Sequence, residues 1–396
     1  MIVSRARLWK YVRACLVSPA GGAIALLLAS LAGFALMNSP WSGDYVALTS
    51  RPMRISFLGP RGPDTVAAWV SDGLMTFFFL VVVLEIKKEI VSGHLSSWRK
   101  VSLPLIGALG GMVVPALTYS LVTHGHAEAA RGWAIPVATD AAFTLPVILA
   151  LGRRVSAGAR TWLMALAIFD DVLGIGVIAL FYGAPLDWPA LTAAVVITAA
   201  LILANRAGIR ALGYYAVGGM LLWAALLGSG LHPTLAGVIT GLCLPAVPSG
   251  TGAGPTPLEA TASALTPIVT WVVLPLFGFI SVGVSLAGTT FGMVLTPVPL
   301  GIMLGLLVGK PVGVLGTTLL AARLKIAVLP ATTSFSTLFG LSLLCGIGFT
   351  ISLFIAGLAF DGSALIMPAK IGIFSGSVLS ALAGWLWLRF VPAKKA

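Results

Sequence analysis

Four ionisable residues stand where an apolar chain has little reason to keep them. Asp170 and Asp171 are adjacent in MALAIFDDVLGIGVIAL, deep inside an uninterrupted apolar run. Asp140 follows Thr139 in WAIPVATDAAFTLP, between Pro136 and Pro146, and Lys310 sits in IMLGLLVGKPVGVLG. An ionisable group in the middle of a membrane span costs at least ~2.5–3.5 kcal/mol on insertion scales, so such groups persist where they face a cavity or one another. Neighbouring residues on a helix diverge by about 100°, so Asp170 and Asp171 point different ways. One is then available to an ion and the other to Lys310, the basic group deep enough to offset a carboxylate. Two close carboxylates in a low-dielectric cavity titrate as a coupled pair, which brings proton exchange within reach of neutral pH. A carboxylate is also a hard oxygen ligand suited to Na+ or Li+, with the Thr139 hydroxyl and carbonyls freed by a helix break completing the shell. A single intramembrane Asp can equally be structural glue between helices. Three of them with a lysine at similar depth, in a chain of only 12 acidic residues, favour an ion site.

The elements that must hold these residues are membrane helices. Of 396 residues 58% are hydrophobic and 9% charged, and the mean hydropathy is +1.04, which excludes an ordinary soluble domain. Apolar stretches of bilayer length fall at 20–38, 66–91, 102–122, 133–151, 158–183, 189–204, 211–228, 232–246, 265–288, 296–321, 336–360 and 369–391, about twelve spans in one transmembrane domain covering 1–396. The basic N-terminal segment precedes the first of them without a small-residue cleavage site, and reads as the start of a membrane helix. With the N-terminus inside, most of the 24 Lys and Arg fall on the inner side: Arg5 to Arg13, Lys87, Lys88, Arg99, Lys100, Arg153, Arg154, Arg160, Arg206, Arg210, Arg323, Lys325, Arg389, Lys394 and Lys395. Arg51, Arg54, Arg61 and Arg131 fall outside, so the positive-inside rule places both termini in the cytoplasm. The net charge of +12 therefore reports topology, not a nucleic-acid face.

Other polar residues read two ways. Glu85 and Glu89, at i and i+4 near the inner end of the second span, are a cation-concentrating funnel or interfacial partners of Lys87 and Lys88. Asp72 lies near the outer end of the same span. His232 in GSGLHPTLAG is a pH-responsive group or an interfacial histidine. The loop DYVALTSRPMRISFLG, near 45–58, reads as an outer-face β-hairpin or an irregular polar loop. Cys15, Cys243 and Cys345 are too far apart for a disulfide framework or metal site, and no cofactor is expected.

Several of these segments resemble the NhaA-type sodium/proton antiporters, and the likeness runs essentially end to end: SDGLMTFFFLVVVLEIKKEI, GWAIPVATDAAF, WLMALAIFDD, SGLHPTLAGVITG, GKPVG, ARLKIAVLP and LCGIGFTISLFIAGLAF. The resemblance implies an all-α polytopic protein with inverted repeats, in which spans four and eleven cross as discontinuous helices. Gly346, Gly348 and Thr350 would form the span-eleven break, facing that at Thr139-Asp140. The family's ion-binding aspartates would be Asp170 and Asp171, its span-four pair Thr139 and Asp140, its span-ten lysine Lys310, and its acidic funnel residues Glu85, Glu89 and Glu259. Dimerisation through the outer hairpin is implied as well. The basic and histidine residues that flank the acidic position before span nine in the family are absent from GPTPLEATASAL, where Glu259 stands alone. The expectation is an inner-membrane antiporter that expels Na+ or Li+ against protons, electrogenically, for Na+ and pH homeostasis. The rival classes are a passive cation channel, a related carrier with altered ion preference and, less in keeping with the short loops, a membrane enzyme.

Overall fold

The computed structural model describes residues 19–91, 98–246, 255–286, 291–329 and 333–390. The terminal basic residues Arg5, Arg7, Lys10, Arg13, Lys394 and Lys395 and the thiol of Cys15 lie outside them. The described chain is a bundle of helices: α1 (Pro19–Met37), α2 (Ser42–Thr49), α3 (Val66–Val91), α4 (Trp98–Val122), a 3-10 coil (Ala127–Val137), α5 (Ala141–Leu151), α6 (Ala157–Phe181), α7 (Trp188–Arg206), α8 (Leu212–Ser229), α9 (Leu235–Cys243), α10 (Pro257–Ser281), α11 (Pro297–Arg323), α12 (Phe335–Leu344), α13 (Phe349–Ala359) and α14 (Ile366–Phe390).

Among the described residues nine helices are long and apolar enough to cross a bilayer. Two further pairs reach that length only together: the 3-10 coil with α5, bent by 40°, and α12 with α13, bent by 46°. That gives nine to eleven candidate spans against the twelve expected. The shortfall is the stretch 232–246. Gly230, left-handed at φ 90°, ends α8, and His232-Pro233 spends further residues in a turn before α9 begins. Leu244 is already extended ahead of Pro245. Only nine residues are helical, which at 1.5 Å each covers roughly half of a ~30 Å hydrocarbon core.

The outer loop also departs from expectation. Ser42–Thr49 is a helix, no strand occurs among the described residues, and the extended part makes a single antiparallel bridge, Pro52 to Thr65. The reason is tertiary. The buried Tyr45 hydroxyl donates to the carbonyls of Phe279 (2.7 Å) and Ile280 (3.1 Å), and its ring meets Phe279 edge-on, so the segment docks on α10 instead of pairing with itself. An isolated hairpin, marginal in water, has no comparable support.

Three helices contain wide π turns: Trp69–Leu74 in α3, Val269–Val273 in α10 and Gly305–Gly309 in α11. The last two each stand two residues before a proline, Pro275 and Pro311. Proline lacks the N–H that would bond the carbonyl four residues back, and its ring crowds that carbonyl, so the preceding turn opens. In α3 side chains draw the backbone away instead: Asp72 O accepts from Trp223 Nε1 (2.8 Å) and Thr76 Oγ1 (2.7 Å).

Close packing at the centre depends on small residues. α11 lies on α4 with Gly313 against Gly110, so that a Cβ on either would run into the other's carbonyl oxygen. Such contacts let helix backbones approach in a medium that offers no hydrophobic drive between helices. Gly313→Ala is therefore expected to destabilise the protein by ~1–3 kcal/mol, the usual cost of overpacking, seen as a lower melting temperature in detergent. Gly316→Ala, with nothing within 4 Å of its added methyl, should stay within ~0.5 kcal/mol.

Candidate functional site

The two bent pairs meet at their interruptions. Ala138 to Asp140 separate the 3-10 coil from α5, and Cys345 to Gly348 separate α12 from α13. Gly346 and Gly348 lie within the second gap, whereas Thr350 is one residue into α13. Gly346 has no room for a side chain, since a Cβ would strike Leu306 O and the Ser380 hydroxyl. Each gap holds the other: Asp140 N donates to Ile347 O (2.6 Å) and Thr139 Oγ1 to Cys345 O (2.8 Å).

Asp140 joins the starts of two helices. Its Oδ1 accepts from Ala142 N (3.0 Å) and Phe143 N (3.4 Å), capping α5, and its Oδ2 accepts from Thr350 N (2.8 Å) and Thr350 Oγ1 (2.6 Å) in the first turn of α13. A carboxylate is well suited here, because helix N-termini carry partial positive charge and unpaired donors. The opposite polarity is met by Lys310. Its fully buried Nζ donates to the carbonyl of Val137, the last residue of the 3-10 coil, and to Asp170 Oδ2 at 2.6 Å. A lysine at a helix C-terminus matches the partial negative charge there.

Asp170 and Asp171 sit midway along α6 and face different surroundings. Asp170 is fully buried and ion-paired with Lys310, while Asp171, 8% exposed, lies within electrostatic reach of Asp170, Asp140, Glu85 and Lys310. On each residue Oδ1 is buried and accepts no hydrogen bond from the protein. Unsatisfied buried acceptors cost ~1–3 kcal/mol each, more for charged groups, so these oxygens are suited to a proton or a cation. No cluster of three or more His, Cys, Asp or Glu with metal-holding geometry occurs among the described residues.

The remaining candidates sit on other elements. Glu85, Glu89, Lys88 and Glu259 interact electrostatically with one another in part, but Glu259 has a local task. It completes a capping box with Thr256 at the start of α10, with Thr256 N and Oγ1 on Glu259 Oε2 at 2.9 and 3.1 Å. His232 Nδ1 meets Thr234 Oγ1 at 2.7 Å, its Nε2 is 3.6 Å from Asp72 Oδ1, and its ring lies edge-on to Phe354. An apolar recess of about 1000 Å³, between α3, α8, α9 and α10, is lined by no carboxylate or amine.

Sequence reasoning missed the α14 hydroxyls. Ser377 Oγ accepts from Gly348 N and Phe349 N, both at 3.3 Å, so the last helix also caps α13. Its only signal was a run of three serines, Ser375, Ser377 and Ser380, within a largely apolar span. The unequal bonding of the aspartates has a measurable consequence. Asp140→Ala removes the acceptor of four hydrogen bonds and is expected to cost ~3 kcal/mol or more. Asp171→Asn should cost far less, and thermal melts of the purified variants check the order.

Comparison with known proteins places the chain in a family. The family profile described as Na+/H+ antiporter 1 matches residues 13–388. A protein named Na(+)/H(+) antiporter NhaA from Gluconacetobacter diazotrophicus is 73% identical, over 96% of this chain and 97% of its own length. One of the same name from Gluconobacter oxydans is 72% identical over 96% and 94%, and one from Zymomonas mobilis 58% identical over 97% and 98%. With matches of this extent, and helices of this length and apolarity, the chain is a multi-pass bacterial membrane protein that belongs to the NhaA-type Na+/H+ antiporter family.

Proposed function

We propose that this protein exchanges Na+, and Li+, for protons across the bacterial inner membrane, with Asp170 and Asp171 as the transport site. The observation that carries this reading is the pair of buried, unpartnered Oδ1 atoms beside a single buried lysine. The carboxylates hold either a cation or protons, and the loaded site is presented alternately to the two faces. When Na+ enters, Asp170 turns to the cation and its bond to Lys310 is released. When Na+ leaves, protonation or the lysine restores neutrality. If both carboxylates exchange protons for one Na+, one net charge moves inward per cycle, driven by ~2.3 kcal/mol per 100 mV of membrane potential.

Asp140 and Thr139 take supporting parts in this reading. Both oxygens of Asp140 are occupied by helix-terminal donors, so it acts as the fixed counter-charge of the crossed breaks, and Thr139 becomes a cation ligand only when its hydroxyl leaves Cys345 O. The two bent pairs are read as single discontinuous spans, their interruptions supplying the midplane site. Glu85 and Glu89 concentrate cations on the cytoplasmic approach to Asp171, and Glu259 contributes to that field while capping its helix. His232, paired with Asp72, is a candidate pH-responsive contact on the outer face. The excess of Lys and Arg in one set of loops supports cytoplasmic termini. A homodimer and a part in Na+ and pH homeostasis complete the proposal.

Everted membrane vesicles test it. Addition of Na+ or Li+ should collapse a preformed proton gradient when the wild type is present and should not when Asp171→Asn is; no response from the wild type would sink the reading. Lys310→Ala leaves Asp170 buried without its counter-ion, a change that typically costs ~3–5 kcal/mol, and should lower the melting temperature accordingly.

A further inference from the structure

Resting on the reading of Asp170 and Lys310 as transport residues, we infer that Pro311 is a positioning residue that holds Lys310 in register with Asp170 by keeping the preceding turn in its wide π form. The Lys310 amide bonds Gly305 O, five residues back, instead of Leu306 O. Pro311 has no N–H to offer Leu307 O, and its ring disfavours the tighter α turn at that point. The two glycines of the turn pack where a side chain would collide: a Cβ on Gly305 would meet Pro136, and one on Gly309 would meet Pro115. Leu306 O, relieved of the lysine amide, lies against Gly346 in the break between α12 and α13.

The widened turn therefore sets two contacts of the crossing at once. It aims the Lys310 ammonium at Asp170 Oδ2 and Val137 O, and it turns a carbonyl toward the glycine of the opposite interruption. A π turn holds one residue more than an α turn over the same rise. Closing it rotates everything on one side by about 100° relative to the other, enough to take the lysine off its partner. α10 supplies an internal comparison. Its π turn Val269–Val273 stands in the same relation to Pro275, but the residue between turn and proline is Leu274, with no charge to aim.

The experiment is a double-mutant cycle on Na+-driven proton exchange in proteoliposomes, with half-saturating Na+ and maximal rate determined separately. Pro311→Ala should reduce exchange by at least ~10-fold and shift half-saturating Na+ in the same direction as Lys310→Ala, and the double variant should be no worse than Lys310→Ala alone. Pro275→Ala should stay within about twofold of wild type. A cryo-EM structure of Pro311→Ala reads the register directly, with an α turn and Lys310 off Asp170 expected. Should that variant not assemble in the membrane, Pro311→Gly restores the same N–H. Wild-type exchange in the proline variant, multiplied losses in the double, or a retained Lys310–Asp170 contact in the variant structure each overturns the inference. Absence of Na+-driven exchange in the wild type would instead remove the transport reading and leave the structural arm to decide the register.

Discussion

A helix that ends away from water leaves amides or carbonyls that need partners, and here two bent helix pairs bring such ends to one buried place. The cost of those ends is the constraint on which the rest of the core depends. It is met by two charges of opposite sign: Asp140 receives the amide ends of α5 and α13, and Lys310 receives the carbonyl end of the 3-10 coil. Neither charge would be tolerable alone at this depth, and neither set of helix ends would be tolerable without them. The interruptions and the buried charges are thus one arrangement, each giving the reason for the other.

Within that arrangement the adjacent aspartates of α6 are unequal. Asp170 is tied to the lysine, and Asp171 stands at the margin with slight exposure and the fields of three other carboxylates around it. Helical geometry makes this division unavoidable, since successive side chains cannot share a direction. What the packing adds is an unfinished bonding pattern. Asp140, Thr139, Ser352 and Ser377 are all engaged, whereas one oxygen on each of Asp170 and Asp171 is not. Among the carboxylates at the crossing, the open oxygens are one on Asp170 and one on Asp171, so a proton or a cation can be taken up there without Asp140 changing partners.

The scaffold itself is assembled from glycine contacts and widened turns. Gly110 against Gly313 brings α4 and α11 to backbone contact, and Gly346 admits Leu306 O and the Ser380 hydroxyl where any side chain would exclude them. Two of the three π turns have a proline two residues further on, so local covalent chemistry places these irregularities, and one of them adjoins Lys310.

Much of this was legible in the order of residues, and the limits of that legibility have physical causes. Long apolar runs define most spans, because hydrocarbon selects composition directly, and charges inside such runs stand out, because only a functional or paired charge survives there. The burial of Asp140, Asp170, Asp171 and Lys310 could therefore be expected without coordinates, and the structure buries all four. The loop at 45–58 was not, since its alternating residues suit a strand as well as a helix, and the Tyr45 hydroxyl chose the helix by reaching α10. Nor was the stretch 232–246, whose apolar length concealed a turn at His232-Pro233 that leaves α9 short. Glu259 looked like a funnel residue and carries a helix cap as well. The sequence by itself determined the medium, the helices and the charges that medium must enclose, because those follow from transfer energies of single residues. Only the tertiary structure decided which aspartate meets the lysine and which oxygens stay open, because those depend on distances between residues up to 210 positions apart.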